Sequence, residues 1–224
     1  MNAPLSPTDR TRIVRSRERA ATDRSALQDV LASGAVAHLG IVIDGSPRVL
    51  PTVFAYDLDG PDPDGTLYFH GSVASRSLVD APSQTVCLTI TLVDGLVLAR
   101  SGFHHSMNYR SAVILGTPRP VDDPTERDHA LDLIVDHLVP GRAATLRKPT
   151  RKELAATTVL AVSLHEASVK SRAEGVNDED FDVAADDTWA GIVPLTTMYG
   201  APQRNADCSP SLDVPDHVRA LTML

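Results

Sequence analysis

Residues 84–101 read QTVCLTITLVDGLVLARS: ten residues of β-branched, nearly continuous apolar character, then Asp94-Gly95, then a second apolar run. A short apolar run of this kind reads as a strand buried on at least one face, and Asp-Gly between two such runs signals a two-residue hairpin. Working outward, strand-like stretches recur at Ala35–Ile43, Arg48–Tyr56, Thr66–His70 and Asn108–Thr117, the last stopped by Pro118. With Gln84–Val93 and Leu96–Ser101 they make six candidate strands. The connections are short or punctuated: Asp44-Gly45-Ser46-Pro47 turns the first pair, and DLDGPDPDG (57–65) holds too many Pro and Gly for an element interior. Strands joined this way favour an antiparallel barrel or sandwich over alternating βαβ units.

The period changes around the strands. Thr22 or Asp23 caps a helix through Ser33 with Gly34 as its stop, and Asp123-Pro124 opens one to Leu138 whose stripe is Ala130, Leu131, Ile134, Val135 and Leu138. Another helix starts near Thr150, and Thr157–Val169 reads as one more strand. The expected class is therefore mainly β with flanking helices. Three segments follow: a basic N-terminal arm (1–24), a strand-rich domain (25–170), and an acidic loop with a C-terminal extension (171–224) lying on the barrel or on a partner.

Composition narrows the function. Hydrophobic residues make up 42% of the 224, enough for a core, and the net charge of −8 with 4% aromatics leaves no electrostatic footprint for nucleic acid. The arginines of the N-terminal arm read as a solvated tail. No apolar run is long enough to span a bilayer, the first 24 residues lack the apolar stretch of a secretory leader, and a cytoplasmic protein is expected. Cys87 and Cys208 stand alone, which argues against a disulfide framework and a Cys-based metal site.

Polar residues concentrate at strand ends. In Leu67-Tyr68-Phe69-His70-Gly71-Ser72, Gly71 lets a ligand approach the backbone, while Ser72, Ser75, Arg76 and Ser77 supply hydroxyls and a guanidinium suited to a phosphate group; an ordinary polar turn is the equal alternative. The second cluster runs from Ser101 to Ser111. His104 and His105 are adjacent, so in an extended chain they point to opposite sides and do not share a metal; Tyr109 and Ser111 share one strand face, Asn108 and Arg110 the other. Trp189 reads as a core or interface anchor.

These residues carry a resemblance. Asp44-Gly45-Ser46-Pro47 with Pro51-Thr52, then Leu67–Ser72, then Ala99-Arg100-Ser101 through Tyr109-Arg110-Ser111 and Gly116 occur in the order found in the pyridoxamine 5′-phosphate oxidase-like FMN-binding split-barrel superfamily. Within it the chain resembles the nitroimidazole-resistance and flavin-nucleotide-binding branch. The resemblance implies a six-stranded antiparallel split β-barrel, a homodimer, and FMN between subunits. It places Arg48, Val49, Leu50, Pro51 and Thr52 beside the flavin ring. His70, Gly71, Ser72, Ser75, Arg76 and Ser77 would hold the ribityl phosphate, with Tyr109, Arg110 and Ser111 also at the cofactor. His104, His105 and Asn108 would line the substrate side. His70 is then the candidate catalytic residue, donating a proton as the flavin delivers hydride.

The implied activity is an FMN-dependent oxidoreductase acting on a small molecule, with NAD(P)H as electron donor and nitro-group reduction as one form. A haem-binding or haem-degrading split barrel is the alternative, with His70, His104 or His105 as axial ligand; a non-catalytic flavin-binding module is the third. No metal site is expected.

Overall fold

The computed structural model describes residues 4–5, 8–185 and 187–222. Residues 1–3 and 6–7 of the expected arm, 186 of the acidic segment and 223–224 of the tail lie outside the described residues. Among the described residues nine strands and six α-helices follow in chain order: α1 (Arg24–Ser33), β1 (Val36–Ile43), β2 (Ser46–Asp57), β3 (Thr66–Ser72), α2 (Arg76–Asp80), β4 (Val86–Leu98), β5 (Ser106–Gly116), β6 (Arg119–Pro120), α3 (Pro124–Leu138), α4 (Arg151–Ala155), β7 (Thr157–Ser163), β8 (Ala167–Arg172), α5 (Asp180–Ala185), β9 (Gly191–Pro194) and α6 (Asp216–Leu221). All pairings are antiparallel, in the spatial order β6-β7-β3-β2-β1-β4-β5-β8, with β9 beside β4.

That order forces curvature. β7 and β8 stand near opposite ends of the sheet, yet only residues 164–166 join them. Three residues span roughly 10 Å even when extended, so the sheet must curl until its two ends nearly meet. Gly116 of β5 records the approach, for a Cβ there would lie 2.8 Å from Val162 of β7. The result is a split barrel. Its interior holds Leu39, Phe54, Phe69, Leu88, Ile114 and Leu160, all at most 2% exposed, with α1 closing one end through Leu27, Val30 and Leu31. A second, smaller core of Ala55, Tyr68, Val159 and Ala161 lies under Ala130 and Ile134 of α3.

Most expected elements are present, with corrections. Asp44 (φ 51) and Gly45 (φ 72) turn β1 into β2 as a two-residue hairpin with both residues left-handed. Asp94-Gly95 makes no hairpin. β4 runs straight through it, and the register with β5 slips between Val93 and Gly95 in a β-bulge. Gly95 is needed because β9 runs close by: a Cβ there would lie 3.2 Å from the Val193 carbonyl. The expected strand Thr157–Val169 is two, broken at 164–166 where the sheet closes. Among the described residues the seven expected strands become nine: two merge into β4, one divides into β7 and β8, and β6 and β9 are added. The N-terminal arm is docked rather than solvated: Arg10 pairs with Glu166, Arg19 with Glu174 at 2.9 Å, Ala20 bridges Lys170, and Leu5 is 5% exposed. No helix among the described residues is long and apolar enough to cross a membrane.

Candidate functional site

The end of β3 is the structural centre of the site. Side chains alternate along a strand, so Leu67, Phe69 and Gly71 share one face, and Tyr68, His70 and Ser72 the other. The burial agrees: Leu67 and Phe69 belong to the barrel core, Tyr68 to the core under α3. Two cavities meet this strand end.

The first is a slot of about 270 Å³ between β1, β2, the end of β3 and α2. Leu39, Leu50, Pro51 and Phe69 give it apolar walls; Thr52, Ser75 and Ser77 bring hydroxyls. Ser75 and Ser77 Oγ lie 3.0 Å apart, and Ser77 is 9% exposed. At Gly71 a Cβ would lie 2.7 Å from Leu78 Cδ1, so this residue lets α2 close on the strand. Flat apolar walls that end in paired hydroxyls suit a planar ring carrying a polar or anionic chain.

Seven expected cofactor residues thus gather here: Leu50, Pro51, Thr52, His70, Gly71, Ser75 and Ser77. Arg76 does not line the slot. It is 62% exposed and gives both guanidinium Nη atoms to Asp44 at 2.8 and 2.9 Å. Its guanidinium and the Asp44 carboxylate reinforce each other's charge, the arginine raised and the acid lowered, by mutual hydrogen bonding. Ser72 turns its Oγ back to the Ala74 amide at 3.2 Å. Arg48 and Val49 line a shallow groove of about 300 Å³ with Cys87 and Leu115.

The second cavity, about 460 Å³, was not apparent in sequence. It lies beneath α3 and the connection to α4, lined by His70, Leu131, Ile134, Val135, Leu146 and Leu154. Leu131 and Val135, expected in a buried stripe, are only part-buried because they face this space, and Leu138 is 36% exposed. His70 Nδ1 is buried and has no hydrogen-bond partner among the described residues. His70 lines this cavity as well as the slot. Burial lowers the imidazole pKa, which keeps the ring neutral at pH 7.

The residues of the second cluster sit elsewhere. Pro51 pairs across β1 and β4 with Val113, whereas Tyr109, Arg110 and Ser111 pair with Val93, Leu92 and Thr91, two to four residues further along β5. Within one chain they do not reach the slot. Arg110 is held by Asp94 at 2.8 and 3.1 Å, and Ser111 Oγ lies 3.1 Å from Thr91 Oγ1. Asn108, expected on the substrate side, is 8% exposed and accepts from Arg172 at 2.6 Å. His104 faces Glu179 at 3.4 Å, and His105 Nδ1 lies 2.8 Å from the Ser101 carbonyl. Of these groups His104 touches the acidic segment, which Arg100 also holds through Asp178 at 2.9 Å. Trp189 is 67% exposed, so it is no core anchor. Among the described residues no three His, Cys, Asp or Glu side chains cluster as a metal site.

The flavocytochrome Anf3 of Azotobacter vinelandii is 33% identical, with a TM-score of 0.87 over 97% of this chain and 99% of that one. A FAD- and haem-binding protein of Mycobacterium smegmatis is 37% identical, with a TM-score of 0.83 over 91% and 97%. A candidate 5-nitroimidazole antibiotic resistance protein of Bacteroides thetaiotaomicron, 24% identical with a TM-score of 0.54 over 68% and 86%, shares the fold. No curated protein matches the chain. Residues 23–171 match the pyridoxamine 5′-phosphate oxidase family model, and the chain belongs to that family.

Proposed function

We propose that this protein is a redox protein that carries a flavin in the slot beside β2 and a haem in the cavity beneath α3, where His70 would be the residue that holds the haem iron. The observation that carries the proposal is His70: its Nδ1 is buried and unpartnered, and its ring lines an apolar cavity of about 460 Å³. Two relatives similar over nearly the whole chain are a flavocytochrome and a FAD- and haem-binding protein, which supports reading the haem alongside the flavin rather than instead of it. When bound, the flavin supplies two-electron chemistry at its ring and the haem one-electron chemistry at its iron.

The chain's own residues have separable tasks. Leu39, Leu50 and Pro51 wall the flavin ring, and Ser75 and Ser77 receive its polar chain. Among the described residues no arginine or lysine lines that slot, so hydroxyl and backbone donors would bind the phosphates. The M. smegmatis relative's name favours FAD over the FMN expected above. His70 stays neutral and offers Nε2. A ligating histidine commonly donates its other N–H to an acceptor. No such acceptor for Nδ1 is present among the described residues.

A homodimer belongs to the same proposal. The first half of β2, residues 46–51, is exposed on both faces, and Val36, Val42, Val49 and Val93 leave an apolar sheet surface open to solvent. Such a surface calls for a partner. A second copy would also wall the slot at Leu50 and Pro51 and bring Tyr109–Ser111 within reach of it.

The absorption spectrum of the purified protein, reconstituted with haem and FAD, tests the proposal. Both a Soret band and flavin bands are expected, and His70→Gln should abolish the low-spin or ligated Soret signature while keeping the flavin. The released flavin should gain fluorescence on phosphodiesterase treatment if it is the dinucleotide. An unchanged Soret spectrum in His70→Gln and His70→Ala would remove His70 as ligand, and absence of both chromophores would overturn the reading. Reduction by NADH and by NADPH, followed in the same cuvette, tests the expected electron donor.

A further inference from the structure

The cavity beneath α3 is apolar except at its mouth. There the connection from α3 to α4 presents Arg147 and Lys148, followed by Pro149. Both cations are about two-thirds exposed, at 68% and 69%. Neither is free: Arg147 donates to both oxygens of Glu153 at 2.6 and 2.9 Å, and Lys148 to Asp132 at 2.5 Å. Both carboxylates also line the cavity. Arg147, with the cap of α4 at Thr150, pulls the Glu153 carboxyl down to about 2, so it is fully ionised at neutral pH. Asp132 raises the Lys148 ammonium.

Two cations side by side at the rim of an apolar cavity, each neutralised by one of the chain's own carboxylates, form an exchangeable anion site. We infer that Arg147 and Lys148 recognise the carboxylates of the cavity's ligand, which displace Glu153 and Asp132. The ligand class is then a planar amphiphile with an apolar body and an anionic edge, bearing two carboxylates that match the two cations. This inference rests on the haem reading and adds to it a polarity: the ligand's acidic edge faces the α3–α4 connection and its apolar edge points inward to Leu131, Ile134 and Leu154. It also gives Asp132 a role opposite to a binding residue, since it competes with the ligand for Lys148.

Metal-free protoporphyrin IX and its dimethyl ester separate this rim from His70, because neither carries iron. Binding is read from porphyrin fluorescence polarisation on the full chain. The diacid is expected to bind about tenfold tighter than the ester, a modest factor because both cations are solvated. Arg147→Ala with Lys148→Ala should erase that preference without weakening the ester. Asp132→Asn should strengthen diacid binding several-fold, and the preference should shrink as salt rises. Equal binding of diacid and ester by the unmodified chain, or a preference that survives the double substitution, overturns the rim assignment and leaves the haem reading intact. Binding of neither porphyrin, with no Soret band on titration with haem, overturns both.

Discussion

Replacing Arg119 by Met is expected to destabilise the fold by about 2–4 kcal/mol, through a network that fastens α3 to the barrel. Arg119 Nε and Nη2 donate to Asp62, each at 2.9 Å, and Nη1 and Nη2 to Glu126 at 3.1 and 2.5 Å. Tyr68 hydroxyl donates to Glu126 at 3.0 Å and Thr66 to Asp62 at 2.8 Å. One hydrogen bond to a charged group is worth roughly 1.5–3 kcal/mol net. The four from Arg119 share one ion and do not add. Breaking a fully buried pair costs about 3–5 kcal/mol, because the remaining charge is stranded. Asp62 and Glu126 are 16% and 18% exposed but Arg119 is 36% exposed, so water relieves part of that cost. Urea unfolding at pH 7 measures the difference. The sign of its pH dependence is fixed by Asp62: burial raises its pKa, but hydrogen bonds from Arg119 and Thr66 outweigh this and leave it below 3.8. The contribution is full above about 3.8 and is lost as pH falls through the lower folded value. A gap between wild type and Arg119→Met below about 0.5 kcal/mol at pH 7, or one unchanged at pH 3, refutes the reasoning.

Three further outcomes are expected. Tyr68, pushed up to about 12 mainly by burial, adds stability that is complete below pH 10 and lost as pH rises toward 12; Tyr68→Phe, followed by urea midpoint, should lack that alkaline loss. Arg76→Ala should change flavin affinity less than about threefold, because Asp44 holds the guanidinium outside the slot, whereas Ser77→Val should weaken it about tenfold in a fluorescence titration. Val49→Glu, at a position 68% exposed on the open face, should shift sedimentation from dimer to monomer; a dimer that persists with flavin bound argues for a different interface.

The local signals in this chain were readable wherever one chemical feature decided the outcome. Asp123 with Pro124 starts α3 where expected, its carboxylate accepting from the Glu126 amide at 2.8 Å, and Thr150 with Glu153 forms a complete capping box. Gly34 ends α1 and Asp44-Gly45 turns the first hairpin. The misreadings were non-local. Asp94-Gly95 has the chemistry of a turn, and only the approach of β9, almost a hundred residues later, makes it a bulge. Leu164-His165-Glu166 carries no turn signal of its own; closure of the barrel bends it there. The cavity beneath α3 was hidden because a helix face over a void has the same period as one over a core. Arg147-Lys148-Pro149, a basic pair in an otherwise acidic half, was the available clue.

The resemblance puts His70, Gly71 and Ser72 at one cofactor site, but a strand divides adjacent residues between its two faces. Gly71 lies on the side of Leu78 and the slot, whereas His70 borders the slot and also lines the larger cavity beneath α3, which Gly71 does not. The two proposed cofactor sites should therefore fail independently under single substitutions at neighbouring positions. In Gly71→Ala the new Cβ meets Leu78 Cδ1 at 2.7 Å, the far end of a flexible side chain, so Leu78 must turn away and the slot it lines must change shape. That adjustment costs about 1–3 kcal/mol of fit, a flavin affinity reduced roughly five- to a hundredfold, with the haem spectrum untouched. In His70→Gln the haem ligation is lost and the slot keeps Ser75, Ser77 and its apolar walls, so flavin content should stay near one per chain. Flavin and haem stoichiometry measured on both variants decides it: if either substitution removes both chromophores in a protein that still unfolds cooperatively, the strand end serves a single shared site and the division between its faces is wrong.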